Sequence, residues 1–355
     1  MPRKRGPKRH TVHITGLSHE GRGVTHIDGK TTFVFNALPQ EHVQIQLDKT
    51  RGSFNEAHTI ELIEASDQRQ TPACDYFGVC GGCALQHMPH ALQIEHKERA
   101  LKDQLQQQAR TEPQTWSAPL TSDLWGYRRK ARLSVRYVPG KSKVLVGFRE
   151  RNGRYVTNMD RCPVLHPSVG LIIDKLSTLI EALSIKEAIP QIEVAVGDAA
   201  TALIFRHLAA LQPEDLVLLT QFGQDHQLHL YLQPDKADSI HPLFPKMPPS
   251  LYYSLPAYQL TLEFKPSQFT QVNAAMNQHM IQRALELLEL KPTDIVLDLF
   301  CGIGNFSLPM ARTAHSVIGV EGDFGSIAQA HHNAKKNQIE NSEFYCANLF
   351  ETDYN

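Results

Sequence analysis

Three cysteines fall within ten positions of this chain, in the stretch CDYFGVCGGC at residues 74 to 83, and a fourth, Cys162, precedes a proline. Thiolates at Cys-x5-Cys-x2-Cys spacing are soft metal ligands on one tight turn, so Cys74, Cys80 and Cys83 supply three of the four ligands of an all-cysteine site. Structural zinc more often joins two short Cys-x2-Cys arms. A three-plus-one grouping with Cys162 therefore favours a [4Fe-4S] cluster over zinc. Two disulfides are the remaining reading, and a reducing compartment disfavours them. Gly78, Gly81 and Gly82 let the backbone wrap closely and aim N–H groups at sulfide. The other thiols, Cys301 and Cys346, read as ordinary core or loop residues.

A second constellation lies in DIVLDLFCGIGNFSLPMA, residues 294 to 311. An apolar strand carrying Asp298 runs into a loop with Gly302 and Gly304 and then a helix. This places a close backbone approach at the carboxyl end of a strand, where open α/β sheets bind nucleotides. Ser307 stands where the dinucleotide fingerprint requires its third glycine, so that ligand is disfavoured. The next strand, VIGVEG, ends in Glu321, about twenty residues on, where an acid accepts both hydroxyls of a ribose. The combination points to an adenosine-type ligand.

These groups need elements to hold them. At 355 residues, with 41% hydrophobic and 21% charged residues, the chain is long enough for two or three soluble domains, and no apolar run approaches a membrane span. MPRKRGPKRH carries five basic residues with no apolar stretch behind it, so a secretory signal is not expected and the setting reads as cytoplasmic. Residues 11–66 alternate in short runs broken by turns such as Asp28-Gly29-Lys30, the pattern of a small β-barrel of the oligonucleotide-binding kind. Residues 91–108 read as a largely polar helix, 168–185 as an apolar-periodic helix, 191–209 and 226–233 as strands, and 241–250 as a Pro-rich connector. From 274 a helix leads into a βαβ pattern with three strands. The boundaries are 1–66 for the barrel with its basic arm, 67–262 for a mixed α/β domain with the cysteine site, and 263–355 for a nucleotide-binding domain.

Strand, glycine loop and terminal acid resemble the S-adenosylmethionine-dependent methyltransferases. FKPSQFTQVN, DLFCGIGNFSLP, VIGVEG and CANLFE, with the cysteine spacing, resemble the RNA uracil-5-methyltransferase family over essentially the whole chain, and within it the branch that acts on 23S rRNA. The resemblance implies a TRAM barrel that grips RNA, a central [4Fe-4S] domain and a Rossmann-like donor domain. By motif position it assigns S-adenosylmethionine to Gln271, Phe300, Asn305, Glu321 and Asn348. Gln271 and Asn305 hold the amino-acid end, Phe300 gives apolar contact, Glu321 takes the ribose and Asn348 reads the adenine edge. The cluster is expected to be structural, because uracil methylation consumes no electrons.

Carbon 5 of uracil is a poor nucleophile, so its methylation needs a cysteine thiolate at C6 and a base for H5. The family carries both in a Ser-Cys-Asn-Pro-like loop and a C-terminal glutamate, and neither motif occurs here. Three strands of parallel sheet also leave an open edge. The chain therefore reads as truncated, with both catalytic groups expected beyond residue 355 and none assigned within it. Outside the N-terminus, Tyr127, Arg128, Arg129, Lys130 and Arg132 form the densest candidate RNA patch. No obligate protein partner is implied, and a monomer is expected. An RNA-binding iron-sulfur protein with a vestigial donor fold is the alternative.

Overall fold

The computed structural model describes residues 8–151 and 153–350. Most of the basic arm, residues 1–7, lies outside them. The chain divides into two compact units, Met1–Pro119 with Phe148–Thr157, and Leu120–Gly147 with Asn158–Asn355.

The first unit opens with six strands: β1 (Arg9–His13), β2 (Gly16–Leu17), β3 (Gly23–Ile27), β4 (Lys30–Phe35), β5 (His42–Thr50) and β6 (Phe54–Glu64). They form one sheet in the order β1-β5-β6-β4-β3-β2, antiparallel except for the β4–β6 pair. Asp28 and Gly29 both take positive φ, 50° and 77°, as the two-residue hairpin between β3 and β4 requires. Alternate residues of the strands, among them Val34, Val43, Ile45 and Ala57, bury one face with Ile14. Glu41 is fully buried at this core and accepts from Arg69 Nε and Nη2 (2.5 and 2.9 Å) and from the Leu38 amide (2.8 Å). The polar helix expected at 91–108 is α1 (His90–Gln104), which buries none of its residues and widens into a π-turn over Leu105–Ala109.

In the second unit β7 (Lys130–Val138) and β8 (Lys143–Gly147) make a hairpin, followed by α2 (Pro167–Gly170) and α3 (Ile173–Ala182). The single helix expected over 168–185 is thus broken. Gly170 O accepts from the Cys162 amide (2.8 Å), and the Asp174 amide donates to Asp160 O (3.1 Å), so the 160–162 segment replaces the helical bond between 170 and 174. A Cβ on Gly170 would lie 2.4 Å from Cys162 O, which leaves room only for glycine. β9 (Gln191–Val196), β10 (Thr201–Arg206), α4 (Pro213–Asp225), β11 (Leu228–Gln233) and β12 (His241–Phe244) complete a sheet in the order β12-β11-β10-β9-β7-β8. β12 corrects the expectation of a plain connector at 241–250. Its Pro242 is tolerated because β12 is an edge strand beside a register shift.

A hairpin of β13 (Leu251–Leu255) and β14 (Leu260–Phe264) leads through a loop to α5 (Ala274–Leu288), capped by the Asn273 side chain, which accepts from the Met276 amide at 3.0 Å. Then come β15 (Ile295–Leu299), α6 (Ser307–Ala311), β16 (Ser316–Glu321), α7 (Phe324–Lys336) and β17 (Ser342–Cys346), a parallel sheet in the order β15-β16-β17, as the βαβ pattern predicts. Leu308, Val317, Ile327, Ala330 and Phe344 join its helix-covered face in one core, while Ile295, Leu297 and Leu299 on the other face are exposed. Among the described residues no helix is long and apolar enough to cross a membrane.

Candidate functional site

The loop after β15 is built from unusual backbone. Phe300, Gly302 and Gly304 take φ of 63°, 56° and 90°. A Cβ on Gly304 would come within 3.0 Å of Leu308, so this glycine serves helix packing. Gly302 has nothing within 4 Å of the same position and faces open space at the strand ends. A left-handed phenylalanine is strained by about 1 kcal/mol, and the result is a ring held out of the core, 55% exposed and 5.6 Å from the ring of Phe350.

Glu321, the last residue of β16, closes this loop. Its Oε2 accepts from the Gly302 amide (3.2 Å) and its Oε1 from the amides of Gly322 and Asp323 (2.7 and 3.1 Å). A carboxylate is thereby fixed at the carboxyl ends of two parallel strands, with lone pairs left on the oxygen that faces the loop. The Asn348 side chain lies one strand further, beyond β17, where its Oδ1 accepts from the Phe350 amide (3.1 Å). Asp298 is spent on structure. Burial raises its carboxyl above the usual range while Ser307 Oγ donates to it at 2.5 Å, fixing the start of α6.

Asn305 is more committed than the sequence suggests. Its Oδ1 accepts from Tyr253 Oη (2.8 Å) and Asn277 Nδ2 (2.9 Å), and its Nδ2 donates to Asn277 Oδ1 (2.8 Å). Both lone pairs of the amide oxygen are used, and one N–H remains for a ligand. Tyr253 and Asn277 were missed in the sequence because neither belongs to the glycine motif. Asn277, four residues after the Asn273 cap, joins α5 to the loop. Gln271 lines a narrow cleft with Arg129, Tyr253 and Asn277, and its side chain has no hydrogen bond among the described residues. Two residues before it, Phe269 is 71% exposed.

Cys301 and Cys346 occupy different settings. Cys301 is buried against Gly319, where a Cβ would lie 2.9 Å from its sulfur, and burial with the nearby Asp298 and Glu321 charges pushes its thiol up to about 12. Cys346 ends β17, exposed, with its thiol 3.6 Å from Gly322 O. The basic run from Arg128 is scattered by the strand. Arg129 binds Asp198 (2.5 Å), Arg132 binds Glu193 (2.9 Å), and Lys130 bonds the Pro266 carbonyl while burial lowers its amine to about 8. Arg128 donates its amide to Val164 O, and Tyr127 precedes it.

In the first unit, Cys74, Cys80 and Cys83 lie on consecutive turns, with the Cys80 amide donating to Tyr76 O (2.9 Å) and the Gly82 amide 3.4 Å from Cys80 Sγ. Gly81 donates to Arg149 O (2.9 Å), an approach where a Cβ would sit 3.1 Å from that oxygen. Arg151 Nη2 donates to Cys83 O (2.6 Å), and its guanidinium lies over the Phe35 ring. Burial raises the Cys74 and Cys80 thiols. Among the described residues no group of three or more His, Cys, Asp or Glu side chains converges on a metal position. The donor chemistry nevertheless fits an acceptor-rich group. Gln86, whose Oε1 accepts from the Cys74 amide (3.2 Å), has an unpartnered buried Nε2, and Arg151 Nε is likewise buried without a hydrogen bond. Cys162 belongs to the second unit and is buried there.

Comparison with known proteins follows the same lines. The tRNA (uracil-5-)-methyltransferase family model matches residues 252–349 and the TRAM domain model residues 5–60. The 23S rRNA (uracil(1939)-C(5))-methyltransferase RlmD of Xanthomonas campestris is 48% identical over 339 residues, covering 95% of this chain and 76% of that protein. Its counterpart in Vesicomyosocius okutanii is 46% identical over 347 residues, covering 98% and 79%. The crystal structure of Pyrococcus abyssi tRNA (uracil-54, C5)-methyltransferase with S-adenosyl-L-homocysteine superposes with a TM-score of 0.70 at 19% identity, over 97% of this chain and 80% of that one, a likeness of fold. With close to half its residues shared along nearly its whole length, and with the glycine loop and terminal acid placed at the strand ends, this chain belongs to the RNA uracil-C5-methyltransferase family.

Proposed function

We propose that this protein methylates C5 of a uracil in 23S rRNA, in the cytoplasm, using S-adenosylmethionine. The observation that carries the reading is the Glu321 carboxylate, fixed by three amides at the strand ends beside the open glycine loop. When bound, the donor supplies a methyl group on a positively charged sulfur.

The chain's own residues bind and orient it. Glu321 accepts the ribose hydroxyls, and the exposed Phe300 ring covers an apolar face. The unpartnered amide of Gln271 and the remaining N–H of Asn305 take the amino-acid end. Asn348 reads the adenine edge. On the substrate side, C5 becomes nucleophilic when a thiolate adds at C6, and a base then removes H5 so that the thiolate leaves. Neither Cys301 nor Cys346 is assigned that role: the first is buried with its thiol pushed up, and the second ends β17 with its thiol directed at Gly322 O.

The division of labour we propose is a TRAM barrel over 1–66 for RNA, a central 67–262 domain, and a donor domain from 263. Cys74, Cys80, Cys83 and, by sequence, Cys162 hold a [4Fe-4S] cluster, toward whose sulfurs Gln86 Nε2 and Arg151 Nε are available donors. Its role is structural.

Isothermal titration with S-adenosylhomocysteine tests the donor assignment. One molecule binds per chain, and Glu321→Ala weakens binding roughly ten- to hundredfold, the worth of hydrogen bonds to a charged group. Equal affinity in the variant rules out Glu321, and no binding by the parent chain rules out the donor site.

A further inference from the structure

One face of the central sheet changes character along its length. Residues two apart on a strand share a face, and at one end Ala195, Ala202, Ile204 and Tyr231 pack with Leu251, Phe264 and Ile303 into an apolar cluster. Beyond Ile204 and Tyr231 the same face turns polar. Arg132 on β7 faces Glu193 on β9, and Gln191 on β9 faces Arg206 on β10, which in turn faces Gln233 on β11. With Ile240 and Ser267 these side chains line a groove of about 210 Å³.

Their hydrogen bonds leave a defined remainder. Arg132 Nη2 and Gln191 Nε2 both donate to Glu193 Oε1 at 2.9 Å, so one acid answers one base. Arg206 is exposed and its side chain has no hydrogen-bond or ion-pair partner among the described residues, which leaves the groove one positive charge in excess. Gln233 is buried, with its Nε2 bonded to Asp235 O (3.2 Å). From β7 to β11 the polar row crosses three strand spacings, about 14 Å, longer than a single phosphate needs. Ile240 adds an apolar wall. Ser267 belongs to the loop that Lys130 grips at Pro266 and that continues through the exposed Phe269 to Gln271. One short segment thus connects the edge of the groove to Gln271.

We propose that this groove holds single-stranded RNA next to the target uridine: Arg206 pairs with a phosphate, the open oxygen of the Gln191 amide meets a base or ribose edge, and Ile240 contacts a base or sugar face. A free cation beside neutral amides and an apolar wall is the chemistry that tracks an unpaired strand. The proposal rests on the RNA substrate proposed above.

The test uses the full chain and a transcribed 23S rRNA hairpin containing uracil 1939, with binding followed by fluorescence anisotropy between about 50 and 200 mM salt. Arg206→Gln is expected to weaken binding several-fold and to make the slope of log K against log salt shallower by about 0.7, one single-strand phosphate contact. Arg206→Lys keeps the slope, and S-adenosylhomocysteine affinity stays unchanged in both. RNA affinity and slope unaltered in Arg206→Gln overturn the groove alone. So does a parallel loss of S-adenosylhomocysteine affinity, which would make Arg206 a structural residue. A parent chain that binds S-adenosylhomocysteine but not this hairpin overturns the RNA substrate and the groove together.

Discussion

Removing the Asn277 amide tests whether α5 holds the donor loop. Asn277 is 3% exposed and exchanges two hydrogen bonds with Asn305, at 2.9 and 2.8 Å. Each such bond contributes about 1 kcal/mol net, and an orphaned buried donor costs a further 1–3 kcal/mol. Asn277→Ala should therefore destabilise by about 3–5 kcal/mol, since it leaves Asn305 Nδ2 unpaired while Tyr253 still satisfies Oδ1. Asn277→Asp should not recover this, because its carboxylate accepts from Nδ2 but faces the Asn305 carbonyl oxygen without a proton. Urea unfolding of both single variants and of the Asn277→Ala/Asn305→Ala pair gives the coupling, expected at about 1–2 kcal/mol for contacting residues. S-adenosylhomocysteine affinity should fall several-fold in each single variant, as the loop must be reordered on binding. A coupling below about 0.5 kcal/mol, the range of independent sites, would refute the reasoning, as would full donor affinity in Asn277→Ala.

Other expectations concern the first unit and the cysteines. Burial alone would raise the Glu41 carboxyl, but Arg69 and the amides of Leu38 and Ser66 outweigh it and hold it below the usual 4.5. Its contribution is present above that value and lost as pH falls through the lower folded value. Arg69→Met, which strands a fully buried carboxylate, should cost about 3–5 kcal/mol and move acid unfolding, followed by circular dichroism, to higher pH. Burial, with Arg69 nearby, lowers the His87 imidazole from 6.5 to about 4. The unfolded chain then takes up a proton that the native one refuses, so stability falls as pH drops from 6.5 toward 4, by up to about 3 kcal/mol. His87→Phe should flatten that slope in urea titrations at stepped pH. Iron and sulfide analysis of anaerobically purified protein should give about four of each per chain, lost in Cys80→Ser and kept in Cys301→Ala. Full iron in Cys80→Ser would remove that ligand.

Much of the architecture was legible in the sequence because it rests on local patterns. Period-two alternation and Asp28-Gly29 predicted the barrel hairpins, and the strand, glycine loop and acid at Glu321 located the parallel sheet and the ligand end of its strands. Two elements departed from expectation for tertiary reasons. The helix over 168–185 breaks because residues 160–162, distant from 174 in sequence, take over its backbone bonds. The proline-bearing 241–244 segment is a strand because it falls on a sheet edge.

Residue types and spacing by themselves determined the family, and placed the cysteine turn and the glycine loop with its acid, since each depends on chemistry within one short segment. Tertiary structure decided what those residues have left to offer. It consumed the Asn305 oxygen on Tyr253 and Asn277, tied the half-buried Lys130 to the Pro266 carbonyl, paired Arg129 and Arg132 with acids, and left Arg206, unremarked in the sequence, as the open cation of a polar row. Hydrogen-bond partners and burial depend on which strands lie side by side, and that register is set by packing between segments far apart in the chain.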